Sequence, residues 1–277
     1  MPACAGMAAE RICSLALELE QLTAAHGLTT AARTGEGRDL VILHSLLTDA
    51  RAFDPVLPVL ARKFRVTLFN LPGFHGSQSV PALIDAYVAR IEDGFEEFGI
   101  KPGAVLIGNG FGGTVALAFA LAHPERLGEL VISDAAPSFP EEGKQAFRVM
   151  ADKVREGGLA AIVDIAANRV FHKAYLEKHP EAVDERRAVL LDIDPTAFCA
   201  ACHALVEVDL VPSLARLRVP TLVVCGELDQ ATPPALNKLI AEKVPGARYI
   251  ELAGCGHCPP LEQPEAFLGA VKGFIEM

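Results

Sequence analysis

The stretch LIGNGFGGTVALA, residues 106–118, decides the fold class. A run of apolar residues meets a glycine-rich turn and passes into a helix of small residues, which is the strand, tight turn and helix of a nucleophile elbow. The apex of such an elbow carries a nucleophilic side chain. Here the apex is Gly110, between Asn109 and Phe111. A carboxamide is a poor nucleophile, and no serine or cysteine adjoins Gly110 to take over the task. The glycine run also lacks the Gly-Lys-Ser/Thr ending of a phosphate loop. As a dinucleotide fingerprint it stands too far along the chain and has no matching acidic partner, so no cofactor is expected.

Outward from the elbow, short β-rich runs recur at residues 40–44 (LVILH), 65–69, 104–107, 130–133, 221–224 and 248–252. Helical stretches at 81–98 and 114–122 lie between them, the second ended by His123-Pro124. Strands alternating with helices predict a mostly parallel sheet covered on both faces. Residues 17–32 predict an antiparallel lead-in hairpin. From 140 to 217 the rhythm changes to Glu, Lys, Ala, Arg and Leu with no strand-like run, which predicts a helical cap over the carboxyl ends of the strands. The expected organisation is thus a core of 1–139 and 218–277 with a cap of 140–217.

With 277 residues and 51% hydrophobic composition the chain can bury one large core. A net charge of −10 repels phosphate backbones and anionic lipid heads, so neither nucleic acid nor membrane is an expected partner. The opening MPACAGMAAERICSLALELEQL is broken by Glu10, Arg11, Glu18 and Glu20 and does not read as a secretion signal. The expected location is therefore the cytoplasm, as a monomer or homodimer acting on a small-molecule substrate. Seven cysteines suit reduced thiols better than a disulfide framework. Cys199-Ala-Ala-Cys202-His203 matches a haem-attachment spacing, but it falls in an ordinary helix pattern at 195–208. Cys255 and Cys258 could complete a four-thiolate zinc set with that pair, except that they flank Gly256-His257, which has a better explanation. Buried apolar thiols account for all four.

That explanation lies in the chain order. VPTLVVCGELDQATPP puts Asp229 just past a strand, and AGCGHCPPLEQPEAF puts His257 after the next one, giving elbow, acid and histidine in sequence. Upstream, LHSLLTD offers backbone N–H groups near Leu46, which with that of Phe111 form a candidate oxyanion hole. Over nearly its whole length the chain resembles the α/β-hydrolase superfamily, with LHSLLTD, LPGFHGS, GNGFGG, CGELDQATPP and GCGHCPPLEQPEAF in the family's order. It is most similar to 3-oxoadipate enol-lactonases, related small esterases and carbon-carbon bond hydrolases. The resemblance implies an α/β-hydrolase fold, with Asp229 as orienting acid, His257 as general base, and Leu46 and Phe111 as oxyanion donors. Asp134, at another strand end where some members carry the acid, is the alternative to Asp229. The chain departs from the family at Gly110, where the nucleophilic serine belongs, at Asn70, where aspartate often precedes Leu-Pro-Gly, and at Cys258, where carbon-carbon hydrolases often carry tryptophan.

Three readings of Gly110 follow. A working esterase has lost its serine, or His257 activates a water in the volume that the hydroxymethyl vacated, or the capped pocket binds a small ligand without turnover. Water attack predicts no burst phase and no acyl adduct, and it demands an activated ester, enol lactone or β-dicarbonyl substrate. Of the remaining candidates, His44 reads as a packed support of the oxyanion loop and His75 as a solvated loop residue. Phe111, Phe139, Phe171 and Phe198 are the candidates for an aromatic lining. Among Arg148, Arg155, Arg169, Arg186 and Arg187, one facing the pocket would bind a substrate carboxylate.

Overall fold

The computed structural model describes residues 18–24 and 26–276. Its centre is an eight-stranded sheet in the order β1-β2-β4-β3-β5-β6-β7-β8. The strands are β1 (Glu20–Thr23), β2 (Thr30–Thr34), β3 (Arg38–Leu43), β4 (Phe64–Asn70), β5 (Ala104–Asn109), β6 (Leu127–Ser133), β7 (Thr221–Gly226) and β8 (Arg248–Leu252). β1 and β2 form an antiparallel hairpin, and β2 joins β4 antiparallel. From β4 to β8 every neighbour is parallel. Burial explains the sequence pattern: strands covered on both faces read as unbroken apolar runs, and every residue of β5 and β7 is buried.

All six strands expected from sequence are present. The lead-in hairpin is present too, running on to Thr34; Leu17 and Ala25 of its expected span lie outside the described residues, as do residues 1–17 of the opening stretch that does not read as a secretion signal. Two helix starts differ from expectation. The helix expected from Pro81 begins at Ile84, because Leu83 is extended (φ −135°) and its N–H turns back to Pro81 O. It then buries Ile84, Tyr87, Val88, Ile91 and Phe95 along one face at helical spacing. The helix expected from Thr114 begins at Phe111, so Gly112 and Gly113 belong to its first turn and not to the loop. Gly112 is needed there because a Cβ would lie 2.4 Å from Leu43 O, and its absence lets the helix press against the end of β3.

Between β6 and β7 the chain is helical, in the segments Glu141–Gly157, Val163–Val170, Lys173–Lys178, Glu181–Leu191 and Pro195–Glu207, apart from an isolated bridge between Ser138 and Asp209. Among the described residues no single helix is long and apolar enough to cross a membrane.

The strand order places the site. β3 has β4 on one side and β5 on the other, so the chain leaves the carboxyl ends of β3 and β5 in opposite directions and opens a crevice between them. The loop after β3 carries Ser45 and Leu46, and the turn after β5 carries Gly110 and Phe111. Gly112 N–H donates to His44 O at 3.1 Å and stitches the two loops together.

Candidate active site

Gly110 sits at φ +57°, ψ −120°, a left-handed conformation that L side chains rarely adopt, and directly precedes the buried helix Phe111–Ala122. Across the crevice His257 is buried, with Nδ1 2.9 Å from Asp229 Oδ2. Asp229 is held in turn by the N–H groups of Ala231 (2.7 Å) and Thr232 (3.1 Å) on Oδ1 and by the Thr232 hydroxyl (2.6 Å) on Oδ2. With Nδ1–H donating to the carboxylate, Nε2 presents its lone pair to the crevice. A Cβ built on Gly110 would fall 2.9 Å from that nitrogen, so the imidazole is aimed at the apex of the elbow. The N–H groups of Leu46 and Phe111 face no protein acceptor among the described residues. Gly110, His257, Leu46, Phe111, Ala231 and Thr232 line one narrow pocket, with Asp229 behind the imidazole.

The two candidate acids lie side by side. Asp134 is fully buried at φ +50°, and a carboxylate oxygen of each residue, with Cys225 Sγ, lies within 4.8 Å of the others. Burial and the neighbouring Asp229 charge hold the Asp134 carboxyl well above the ordinary range. Burial also works against ionising Asp229, but the His257 ring and the Thr232 hydrogen bonds outweigh it and bring Asp229 below that range. Asp229 is therefore the ionised member and bonds the histidine. Asp134 instead accepts from Gly226 N–H (2.7 Å) and the Ser133 hydroxyl (2.8 Å).

Sequence reasoning missed Ser45. It lies in LHSLLTD, a segment read only for its backbone, yet its buried Oγ stands 3.4 Å from His257 Nε2. A Cβ on Gly110 would lie 2.2 Å from this oxygen. The space that a side chain at position 110 would take is thus filled by Ser45 from the facing loop, and is not open. Asn109, dismissed as a nucleophile, donates to His257 O (3.0 Å) and Ser133 O (3.2 Å) and ties the histidine loop to the elbow.

The helices above β6 and β7 close the pocket with Phe147, Met150, Arg169 and Leu205, beside Phe139. The remaining space is narrow, and the flexible Met150 side chain forms part of its wall. Of the expected aromatic lining, Phe111 and Phe139 are in place. Phe171 borders the adjoining opening beside Arg169, and Phe198 is absent from the lining and fully buried in the core; Phe147 is the aromatic that sequence did not single out. Arg148, Arg155 and Arg187 pair with Glu141, Asp152 and Asp184 on the surface, and Arg186 is buried over the Phe171 ring. Only Arg169 among the five candidates lines the pocket; among the described residues its guanidinium makes no hydrogen bond or ion pair, and it lies within the field of the Asp229 charge. His75 is not a free solvated residue: it bonds the buried Asp49 at 3.0 Å. Cys199, Cys202, Cys255 and Cys258 are free thiols; the last three are buried as expected, whereas Cys199 is only half-buried.

His44 fixes the loop that carries Ser45. Its Nδ1–H donates to Ser45 O at 2.8 Å, and its Nε2 accepts from Leu71 N–H at 3.1 Å, so the buried ring is neutral. Burial brings its pKa down to about 4. Because the unfolded chain takes up this proton near pH 6.5, the stability contributed by neutral His44 is complete above about pH 6.5 and is lost as pH falls towards 4. His44→Asn removes that dependence. Relative to this variant, the native chain should lose roughly 2 to 3 kcal/mol between about pH 7 and pH 4.5 in urea unfolding. Parallel curves for the two proteins would show that His44 is not buried neutral.

Residues 40–270 match the Alpha/beta hydrolase family. The chain belongs to this family. It is 28% identical over 240 residues to 3-oxoadipate enol-lactonase 2 of Acinetobacter baylyi, spanning 86% of this chain and 88% of that protein. Over 258 residues it is 30% identical to the pimeloyl-[acyl-carrier protein] methyl ester esterase of Aeromonas hydrophila, with 88% and 97% covered. The crystal structure of the enol-lactonase from Burkholderia xenovorans LB400 superimposes with a TM-score of 0.85 at 26% identity, covering 93% of this chain and all of that one. These relatives are named as hydrolases of a lactone and of a methyl ester.

Proposed function

We propose that this α/β hydrolase cleaves a small activated ester or enol lactone that carries a carboxylate. His257 takes the proton from the hydroxyl that attacks the carbonyl carbon, Asp229 holds the ring with Nε2 free and stabilises the imidazolium, and the N–H groups of Leu46 and Phe111 receive the oxyanion. The observation that carries this reading is the aim of His257 Nε2, backed by the ionised Asp229, at the elbow apex beside two backbone donors without protein acceptors.

The carboxylate is inferred from Arg169, a largely buried cation on the pocket wall with no ion-pair partner among the described residues. A relative named for the enol lactone of 3-oxoadipate acts on such a compound: closing the lactone uses one carboxyl of the diacid and leaves the other free. The test compares p-nitrophenyl acetate with the mono-p-nitrophenyl ester of a short dicarboxylic acid. Arg169→Met should raise KM for the acidic ester by about 10- to 100-fold and leave the neutral ester nearly unchanged, the span expected for losing a charged hydrogen bond. Equal changes for both esters would remove Arg169 from substrate recognition. Failure of the native chain to hydrolyse either one would overturn the whole reading.

A further inference from the structure

We propose that the nucleophile of this protein is Ser45, moved from the elbow to the loop after β3. The inference rests on the hydrolase reading above and names the group that attacks.

Three features of the crevice lead to it. Ser45 Oγ is the side-chain hydroxyl within reach of His257 Nε2, at 3.4 Å, a separation that tightens when substrate closes the site. Thr232, the other hydroxyl near the ring, is on the Nδ1 side and already donates to Asp229. Second, Ser45 Oγ occupies the space of an elbow side chain, 2.2 Å from where a Gly110 Cβ would be. Third, the loop is rigidly held: His44 Nδ1–H bonds Ser45 O, Ser45 N–H donates to Thr48 Oγ1 at 3.2 Å, and Gly112 N–H bonds His44 O.

The oxyanion hole survives this move without rearrangement. In an elbow enzyme one donor is the N–H of the residue after the nucleophile, and the other comes from the facing loop after β3. With Ser45 as nucleophile, Leu46 becomes the following residue and Phe111 supplies the donor from the facing loop. The two loops exchange roles around the same pair of N–H groups.

In the first half-reaction the Ser45 Oγ–C bond forms as the hydroxyl proton passes to His257 Nε2 and the carbonyl oxygen becomes the oxyanion. Collapse breaks the bond to the leaving oxygen, which departs as the alcohol or enol with the proton from His257, or as a stable phenolate while Nε2 gives its proton to solvent. Water then attacks the acyl-Ser45 ester, gives a proton to Nε2, and the carboxylic acid leaves as Ser45 recovers its proton.

The test treats the full chain with a fluorophosphonate, which traps an activated serine by forming an Oγ–P bond with loss of fluoride. Mass spectrometry of the tryptic peptide between Arg38 and Arg51 then locates the adduct; its single serine is Ser45, and fragment ions separate it from Thr48. We expect a stoichiometric adduct on Ser45, absent from Ser45→Ala and from His257→Gln. We also expect a p-nitrophenolate burst in the native chain and a fall in kcat on the order of a thousandfold or more in S45A. S45C, which keeps a nucleophile at that position, should retain the burst through a thioester, so a folding defect in S45A does not decide the matter. If S45A and S45C both turn over at the native rate while H257Q does not, and no adduct forms, water attack stands and this inference falls alone. If H257Q also turns over at the native rate, the hydrolase reading falls with it.

Discussion

Asp229→Asn and His257→Gln should each lower kcat/KM for an activated ester by about 10³- to 10⁴-fold while the fold persists. For His257 the reason is direct, since glutamine cannot accept a proton in this pH range. For Asp229 the reason is the tautomer. The carboxylate accepts from Nδ1–H at 2.9 Å and so leaves the Nε2 lone pair facing Ser45. An asparagine whose oxygen keeps the N–H bonds of Ala231 and Thr232 turns its NH₂ towards the ring, which must then carry its proton on Nε2, where it cannot act as a base. Asp134 supplies the control. Its carboxyl is held above the ordinary range by burial and by the Asp229 charge, so Asp134→Asn replaces a neutral group by a near-isostere and should change kcat/KM by no more than about threefold. In D229N the charge that suppresses ionisation of Asp134 is gone, so Asp134 ionises more readily there and the residual activity of D229N should rise with pH more than that of D134N/D229N. Steady-state kinetics of the four proteins across pH check this. A large loss in D134N combined with a mild one in D229N would reverse the assignment of the two acids.

The parts of the site legible in the sequence were those set by position along one strand. Residues just beyond the carboxyl end of an apolar run lie at the crevice end of the sheet: Gly110 follows β5 directly, Asp229 comes three residues after β7 and His257 five residues after β8. Leu46 and Phe111 were legible as candidate donors because the proposal calls only on their backbone N–H groups, independent of side chain. Ser45 was not, because its role arises from a contact between loops after β3 and β5, and those strands are neighbours only through the order β4-β3-β5, which local periodicity does not encode. Arg169 differed from four other arginines of similar helical surroundings only in the pocket it lines, again a matter of packing. The early start of the Phe111–Ala122 helix has a related cause. Gly112 and Gly113 read as turn residues by propensity, but their lack of side chains serves the close approach of a helix to β3 and to Ala135.

Restoring the serine that the family carries at the elbow should damage this protein. In Gly110→Ser the new Cβ lies 2.2 Å from Ser45 Oγ and 2.8 Å from Ser45 Cβ. The hydroxyl can rotate away, but Ser45 Cβ moves only with its loop, which the His44 and Gly112 hydrogen bonds hold in place. The left-handed backbone at φ +57° adds strain that glycine avoids. Strain of about 1–3 kcal/mol and overpacking of similar size predict a loss of roughly 2 to 5 kcal/mol, a melting temperature lower by on the order of 10 °C. Activity should not rise, because two hydroxyls compete for one position at His257 Nε2. Adding Ser45→Gly removes the atoms in the way: G110S/S45G should recover all but the backbone strain and place an elbow serine before the imidazole, with a burst at least as large as that of the native chain. Thermal melts and burst amplitudes of the native chain, G110S, S45G and the double variant form a cycle whose coupling term reads the contact between positions 45 and 110. Additive effects would mean that the two loops do not meet as described. A strong gain of activity in G110S alone would mean that the hydroxyl of Ser45 yields its place freely and is not the built-in nucleophile.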